Sequence, residues 1–215
     1  MPKKLQNVYH NPNFAKIKIK HPFRMLIIGS SGSGKTNCLL NLIYNMPDTF
    51  QDITVITKNA DEPLYNLLKD KLGDAVNIYE GIENIPDLDT FDKTTQHLIV
   101  FDDLVNEKNQ KKVSDFYIRA RKLNCSLCYL SQSFYAIPKL IRLNANYIIL
   151  KKIGSLKDIN MILRGYQLGV DAQQLKKIYE YATDKLVNFL LIDTEANEAT
   201  KFRKNFNLII DVEKL

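Results

Sequence analysis

Apolar residues along the chain fall in short unbroken runs, each bounded by polar or turn-forming residues: 24–29 (RMLIIG), 53–57 (ITVIT), 97–101 (HLIVF), 126–130 (SLCYL) and 147–150 (YIIL). Runs of this length without polar alternation predict strands buried on both faces, and so a parallel sheet covered by helices on each side. The stretches between them are long enough for crossover helices, notably 63–72 and 108–122, and 76–79 adds a short strand. Residues 35–46 suit a helix that stops at Pro47. Further on, Ser155 and Asp158 read as a capping box opening a helix that ends at Gly165, and Asp171 with Gln174 opens another. Two weaker patterns flank this core. Lys16, Lys18 and Lys20 alternate with Ile17 and Ile19, which predicts an edge or two-sided strand; 187–193 and 201–210 predict a hairpin added to the sheet edge.

A length of 215 residues with 45% hydrophobic content allows one sizeable core. The expected organisation is therefore a single α/β domain, with an extension over 1–22, a core over 23–152, and helices plus hairpin over 153–215. Thirty Lys and Arg against 24 Asp and Glu give a net charge of +6, which suits a polyanion such as nucleic acid without selecting for one. Three cysteines, Cys38, Cys125 and Cys128, are too few and too odd in number for a disulfide framework, and point to a reducing compartment. Cys125 and Cys128 look like half a zinc knuckle, but no second pair follows and positions three apart on a strand face opposite ways. Core packing is the better reading. The Met-Pro-Lys-Lys start has no apolar stretch of signal-peptide type, so a soluble intracellular protein without a membrane partner is expected.

The chemistry sits at the end of the first run. Gly29, Ser30, Ser31, Gly32, Ser33, Gly34, Lys35 and Thr36 fit G-x-x-x-x-G-K-[ST] at every fixed position, between a predicted strand and a predicted helix. The glycines let successive N–H groups turn inward on phosphates, Lys35 places a point charge at the β- and γ-phosphates, and the Thr36 hydroxyl ligates Mg²⁺. ATP and Mg²⁺ are the expected ligands. The run 98–101 ends in Asp102 and Asp103. A buried strand of this kind delivers carboxylates to its C-terminal edge, where open parallel sheets bind ligands. Asp102 is expected to hold Mg²⁺, and Asp103 to orient or deprotonate the attacking water, one methylene shorter than a Glu would be. Gln132, after the next strand, suits a sensor of the γ-phosphate; a plain strand-to-loop Gln is its bland alternative. Arg119 and Arg121 cannot share a helix face. One of them is a candidate arginine finger for a neighbouring subunit, with a solvated helix end as the alternative.

Taken together, GSSGSGKT, LIVFDDL, IRARKLNCSLCYLSQS and the stretch from Ile137-Pro138-Lys139 to Asn146-Tyr147 resemble the genome-packaging ATPases of poxviruses, related nucleocytoplasmic large DNA viruses and virophages, within the HerA/FtsK superfamily. The resemblance runs from about residue 22 to about 152. It implies a RecA-like P-loop NTPase core that assembles as a homo-oligomeric ring and drives double-stranded DNA, read without sequence preference, into a viral capsid vertex, acting in the host cytoplasm or viral factory. Residue by residue it matches Lys35 and Thr36 to the Walker A pair, Asp102 and Asp103 to the Walker B pair, Gln132 to the sensor, and Arg121 to the arginine of the basic segment with Arg119 as its rival. Many relatives carry Glu at the position of Asp103, and Gly-Arg-His where this chain reads Ala120-Arg121-Lys122. A HerA/FtsK-like DNA pump outside packaging, a small-molecule kinase and a non-enzymatic DNA-binding protein are the competing readings. The kinase lacks a lid insertion between Arg119 and Tyr147, and the binding module leaves three ordered motifs unexplained. Lys111, Lys112, Lys139 and Lys157 are candidates for a DNA-facing surface, or simply solvated.

Overall fold

Each uniformly apolar run becomes a strand of one sheet in the computed structural model, which describes residues 11–155 and 157–215. A short helix, α1 (Phe14–Ile17), precedes β1 (Arg24–Ile28); β2 (Asp52–Thr57), β3 (Val76–Glu80), β4 (His97–Asp102), β5 (Cys125–Ser131) and β6 (Tyr147–Leu150) follow. These six lie in the order β3-β2-β4-β5-β1-β6, and every neighbouring pair is parallel. The connecting helices are α2 (Lys35–Tyr44), α3 (Pro63–Leu72), α4 (Gln110–Arg119) and α5 (Lys139–Asn144). Because successive strand residues point to opposite faces, the unbroken runs feed two cores at once. Leu26, Ile99, Phe101 and Leu127 pack under Val113 and Phe116 of α4, while Met25, Ile27, Val55 and Val100 pack under Leu39 and Leu42 of α2 and Leu68 of α3. Burying each such side chain contributes about 2 kcal/mol. Cys125 belongs to the first core and Cys128 to the second, both buried with free thiols, as their spacing requires.

The alternation at 16–20 is not a strand. Phe14–Ile17 is one helical turn, closed by Lys18 in the left-handed region at φ 54°. Ile17 and Ile19 do point inward, at 1% and 0% exposure, so the in–out pattern is real. What is missing is a free side of the strand it leads into, because β5 and β6 already occupy both sides of β1. The segment is held instead by the buried Arg203, whose guanidinium donates to the Ile17 carbonyl at 2.9 Å and pairs with Asp193 at 3.3 Å. Residues 1–10 of the expected N-terminal extension lie outside the described residues.

Past the parallel sheet, α6 (Lys157–Gly165) and α7 (Ala172–Ala182) lead into β7 (Leu190–Asp193), β8 (Phe202–Lys204) and β9 (Leu208–Ile209). The expected hairpin is therefore a three-stranded antiparallel extension beyond β6. The run at 201–210 breaks because Asn205 turns left-handed at φ 56°, sending Phe206 inward to meet the Phe189 ring at 5.0 Å and bringing Leu208 back beside Lys204. At α7 the capping box forms as expected: Asp171 Oδ1 accepts from Gln174 N at 2.8 Å, and Gln174 Oε1 accepts from Asp171 N at 2.9 Å. At α6 it does not. Ser155 Oγ accepts from Lys157 N at 3.2 Å, but Asp158 turns away to the segment after β5.

Candidate active site

Parallel strands put their C-terminal ends on one edge, and there β1, β4 and β5 deliver the motif residues. The turn leaving β1 is pinned on both sides: Gly29 N donates to Ser131 O at 3.1 Å, and Ser30 N to Lys152 O at 2.9 Å. Gly29 is required by space, since a Cβ there would stand 2.4 Å from Ser33 Oγ and 2.7 Å from Lys151 Cβ. Gly34 is required by backbone, at φ 83°. No side chain caps α2, and its first internal bond runs from Cys38 N to Gly34 O at 3.0 Å. The amides of Lys35, Thr36 and Asn37 are thus the orphan donors of a helix N-terminus, aimed out of the loop with the positive end of the dipole behind them. That is an anion cradle.

Lys35 Nζ lies over the loop, donating to Gly29 O at 2.9 Å and Ser30 O at 3.3 Å. Burial lowers its pKa, while Asp102, Asp103 and Glu62 oppose that by favouring its charge. Asp102 ends β4 and is 7% exposed; burial pushes its carboxyl up to about 6, and the hydroxyl of Tyr65, donating to Oδ2 at 2.7 Å, pulls it back down. Asp103 sits left-handed at φ 52°, with its N–H donating to Leu130 O at 3.2 Å. Gln132 is exposed on the next strand end, within a turn closed by Ser131 Oγ donating to Ser133 O at 2.9 Å. Lys35, Asp102, Asp103 and Gln132, the residues expected as Walker A, Walker B and sensor groups, therefore share one edge.

The arginines do not share it. Arg119 ends α4 and pairs with Asp89 at 2.9 Å on the surface. Arg121, in the turn Ala120–Leu123, borders a cavity of about 490 Å³ with Arg24, His21 and Glu195 at the opposite edge. The seven residues of β5 separate it from the phosphate loop, a span of about 20 Å at 3.3 Å per residue. Neither arginine reaches the loop of its own chain.

Three residues of the site have no motif to announce them. Tyr65 and Glu62 stand at the start of α3, three apart and so on one side of the helix. Lys151 is 3% exposed beneath the loop; its Nζ donates to the carbonyls of Leu186, Val187 and Asn188 at 2.8, 3.1 and 3.3 Å. A lysine placed immediately after the apolar run 147–150 was the one available signal for it.

The sheet order, the phosphate loop after β1 and the carboxylates at the end of β4, with β5 between the two strands, define a P-loop NTPase. The chain belongs to the poxvirus A32 protein family, whose model matches residues 12–193. It is 26% identical over 253 residues to the DNA packaging protein OPG160 of Vaccinia virus (strain Copenhagen), covering 97% of this chain and 93% of that one. It is 31% identical over 160 residues to the Variola virus protein of the same name, covering 68% and 58%. Among solved structures it is similar to the genome packaging NTPase B204 of Sulfolobus turreted icosahedral virus 2 in complex with AMPPCP, with a TM-score of 0.64, 14% identity, and 87% and 98% of the two chains covered. The pCW3 conjugation coupling protein TcpA with ATPγS gives 0.60, 13%, 91% and 64%. At these identities the structural likeness speaks for the fold. Among the described residues no helix is long and apolar enough to cross a membrane.

Proposed function

We propose that the chain is the ATP-hydrolysing motor of viral genome packaging, moving double-stranded DNA without sequence preference into a capsid. The observation that carries this reading is the division of the site between two sheet edges. Lys35, Asp102 and Gln132 gather at one, and Arg121 lies at the other. An active centre completed by an arginine then needs a second copy of the chain, which is what a homo-oligomeric ring supplies. The family membership and the names of the relatives support DNA as cargo. The Thr36 hydroxyl and the Asp102 carboxylate would hold Mg²⁺, which would neutralise negative charge developing on the phosphates. Asp103 and Glu62 are the carboxylates available to take the proton of the attacking water, and Gln132 to orient it.

The test is the ATPase rate with and without double-stranded DNA, on protein whose mass in solution is measured in parallel. DNA should raise the rate, and duplex affinity should fall steeply from low to physiological salt, because each neutralised phosphate releases a counterion. A rate indifferent to DNA, or a tight preferred sequence, would point to a different protein.

Asp102 gives the site a pH dependence. With its carboxyl at about 6, the Mg²⁺ concentration for half-saturation should begin to climb as pH falls through that value. Tyr65→Phe removes a donor that favours the ionised form, so the climb should begin at higher pH. A hydrogen bond to a charged group is worth about 1.5 kcal/mol, which moves the onset by about one pH unit. An onset that does not move would show that Tyr65 does not govern this carboxylate.

A further inference from the structure

The +6 charge is not spread evenly against its counter-charges. Lys58, Lys112, Lys176 and Lys204 each face a carboxylate within 4.0 Å. Between α5 and α6, by contrast, a cleft of about 530 Å³ is lined by Lys139, Arg142, Lys157 and Arg164 with the aromatic rings of Tyr135 and Tyr166. Lys139, Lys157 and Arg164 are exposed, and none has an ion-pair partner among the described residues. The nearby carboxylate, Asp158, is 4% exposed and turned from the cleft, its Oδ1 accepting from Ser133 Oγ and Tyr135 N at 3.0 Å each. Arg142 is fixed in the wall by its Nε donating to Ile137 O at 2.8 Å and by the Phe134 ring, 5.2 Å from the guanidinium carbon.

We propose that this cleft seats the sugar-phosphate backbone of the DNA. The inference rests on the packaging reading and names the surface that reading lacks. Three unpaired cations and one preoriented guanidinium, with Tyr135 71% exposed beside them, are side-chain types that contact phosphate and sugar, and such contacts carry no base preference. The cleft is also joined to the nucleotide edge. Asp158 ties α6 to the segment that carries Gln132, and the Ser131 carbonyl at the base of that segment accepts from Gly29 N.

The experiment compares duplex binding of wild type, Lys139→Ala/Lys157→Ala/Arg164→Ala, and a control of equal charge change, Lys69→Ala/Lys71→Ala/Lys93→Ala, by anisotropy of a short random-sequence duplex across a salt series. Arg142 is left intact because it helps hold the fold. The cleft variant should melt at the wild-type temperature, bind more weakly, and lose about 3 from the slope of log affinity against log salt, close to one per phosphate contact removed. Lys139→Ala and Arg164→Ala alone should each lose about one. A cleft variant with the wild-type slope, or a control that loses as much, overturns the assignment while leaving DNA as the cargo. Wild-type protein that shows no salt-dependent duplex binding overturns the packaging reading and the cleft with it.

Discussion

Lys35→Ala should lose at least about a hundredfold in ATP turnover, the order seen when one preorganised electrostatic group is deleted from an active site. The fold should be unaffected. The Lys35 ammonium bonds only to the Gly29 and Ser30 carbonyls of its own loop, and burial already disfavours its charge. Alanine at the first position of α2 suits the helix at least as well as lysine does. The loss should therefore appear in turnover and not in the melting temperature. Lys35→Arg should be nearly as impaired, because a planar guanidinium fork does not reproduce the compact ammonium that sits over the Gly29 and Ser30 carbonyls. Turnover by the alanine variant within threefold of wild type would mean that this loop is not where ATP is held.

Much of this site can be read along the chain because its parts are local. A phosphate loop needs glycines at fixed positions, a lysine, and a strand and helix on either side, and all lie between Arg24 and Tyr44. Asp102 announces itself as the first charge after four apolar residues of β4. Tyr65 and Glu62 cannot be read this way. They belong to the site only because β2 lies beside β4, with Thr57 opposite Asp102, so that the helix after β2 begins over the carboxylates. Lys151 is legible as an odd charge but not as a strut, since the carbonyls it holds come from 186–188. The missing strand at 16–20 and the break inside the hairpin at 201–210 share a cause. Alternation records which side chains face inward, whereas a strand also needs a free edge and an unbroken backbone. The first segment finds both sides of β1 taken, and the second breaks at Asn205.

Arg121→Ala should bind ATP as wild type does and hydrolyse it poorly, because an arginine finger acts on charge that develops only in the transition state. An arginine supplied between subunits is worth a factor of about 10³ to 10⁵ in related phosphoryl-transfer sites. Here the geometry makes such a role intermolecular or nothing, since the length of β5 separates Arg121 from the loop of its own chain. Mixing tests this. A Lys35→Ala subunit has a disabled loop and an intact arginine; an Arg121→Ala subunit has the reverse. Two inactive proteins should regain activity when combined, because some interfaces then pair a working loop with a working arginine. Arg119 is the next to mix, since its exposed pair with Asp89 contributes at most about 1 kcal/mol and releases readily. Arg142 follows, although the Ile137 carbonyl already holds it. Should every mixture stay inactive while subunits demonstrably exchange, either the active site is complete within one chain or a residue other than these three completes it, and the edge that carries Arg121 serves some purpose other than catalysis.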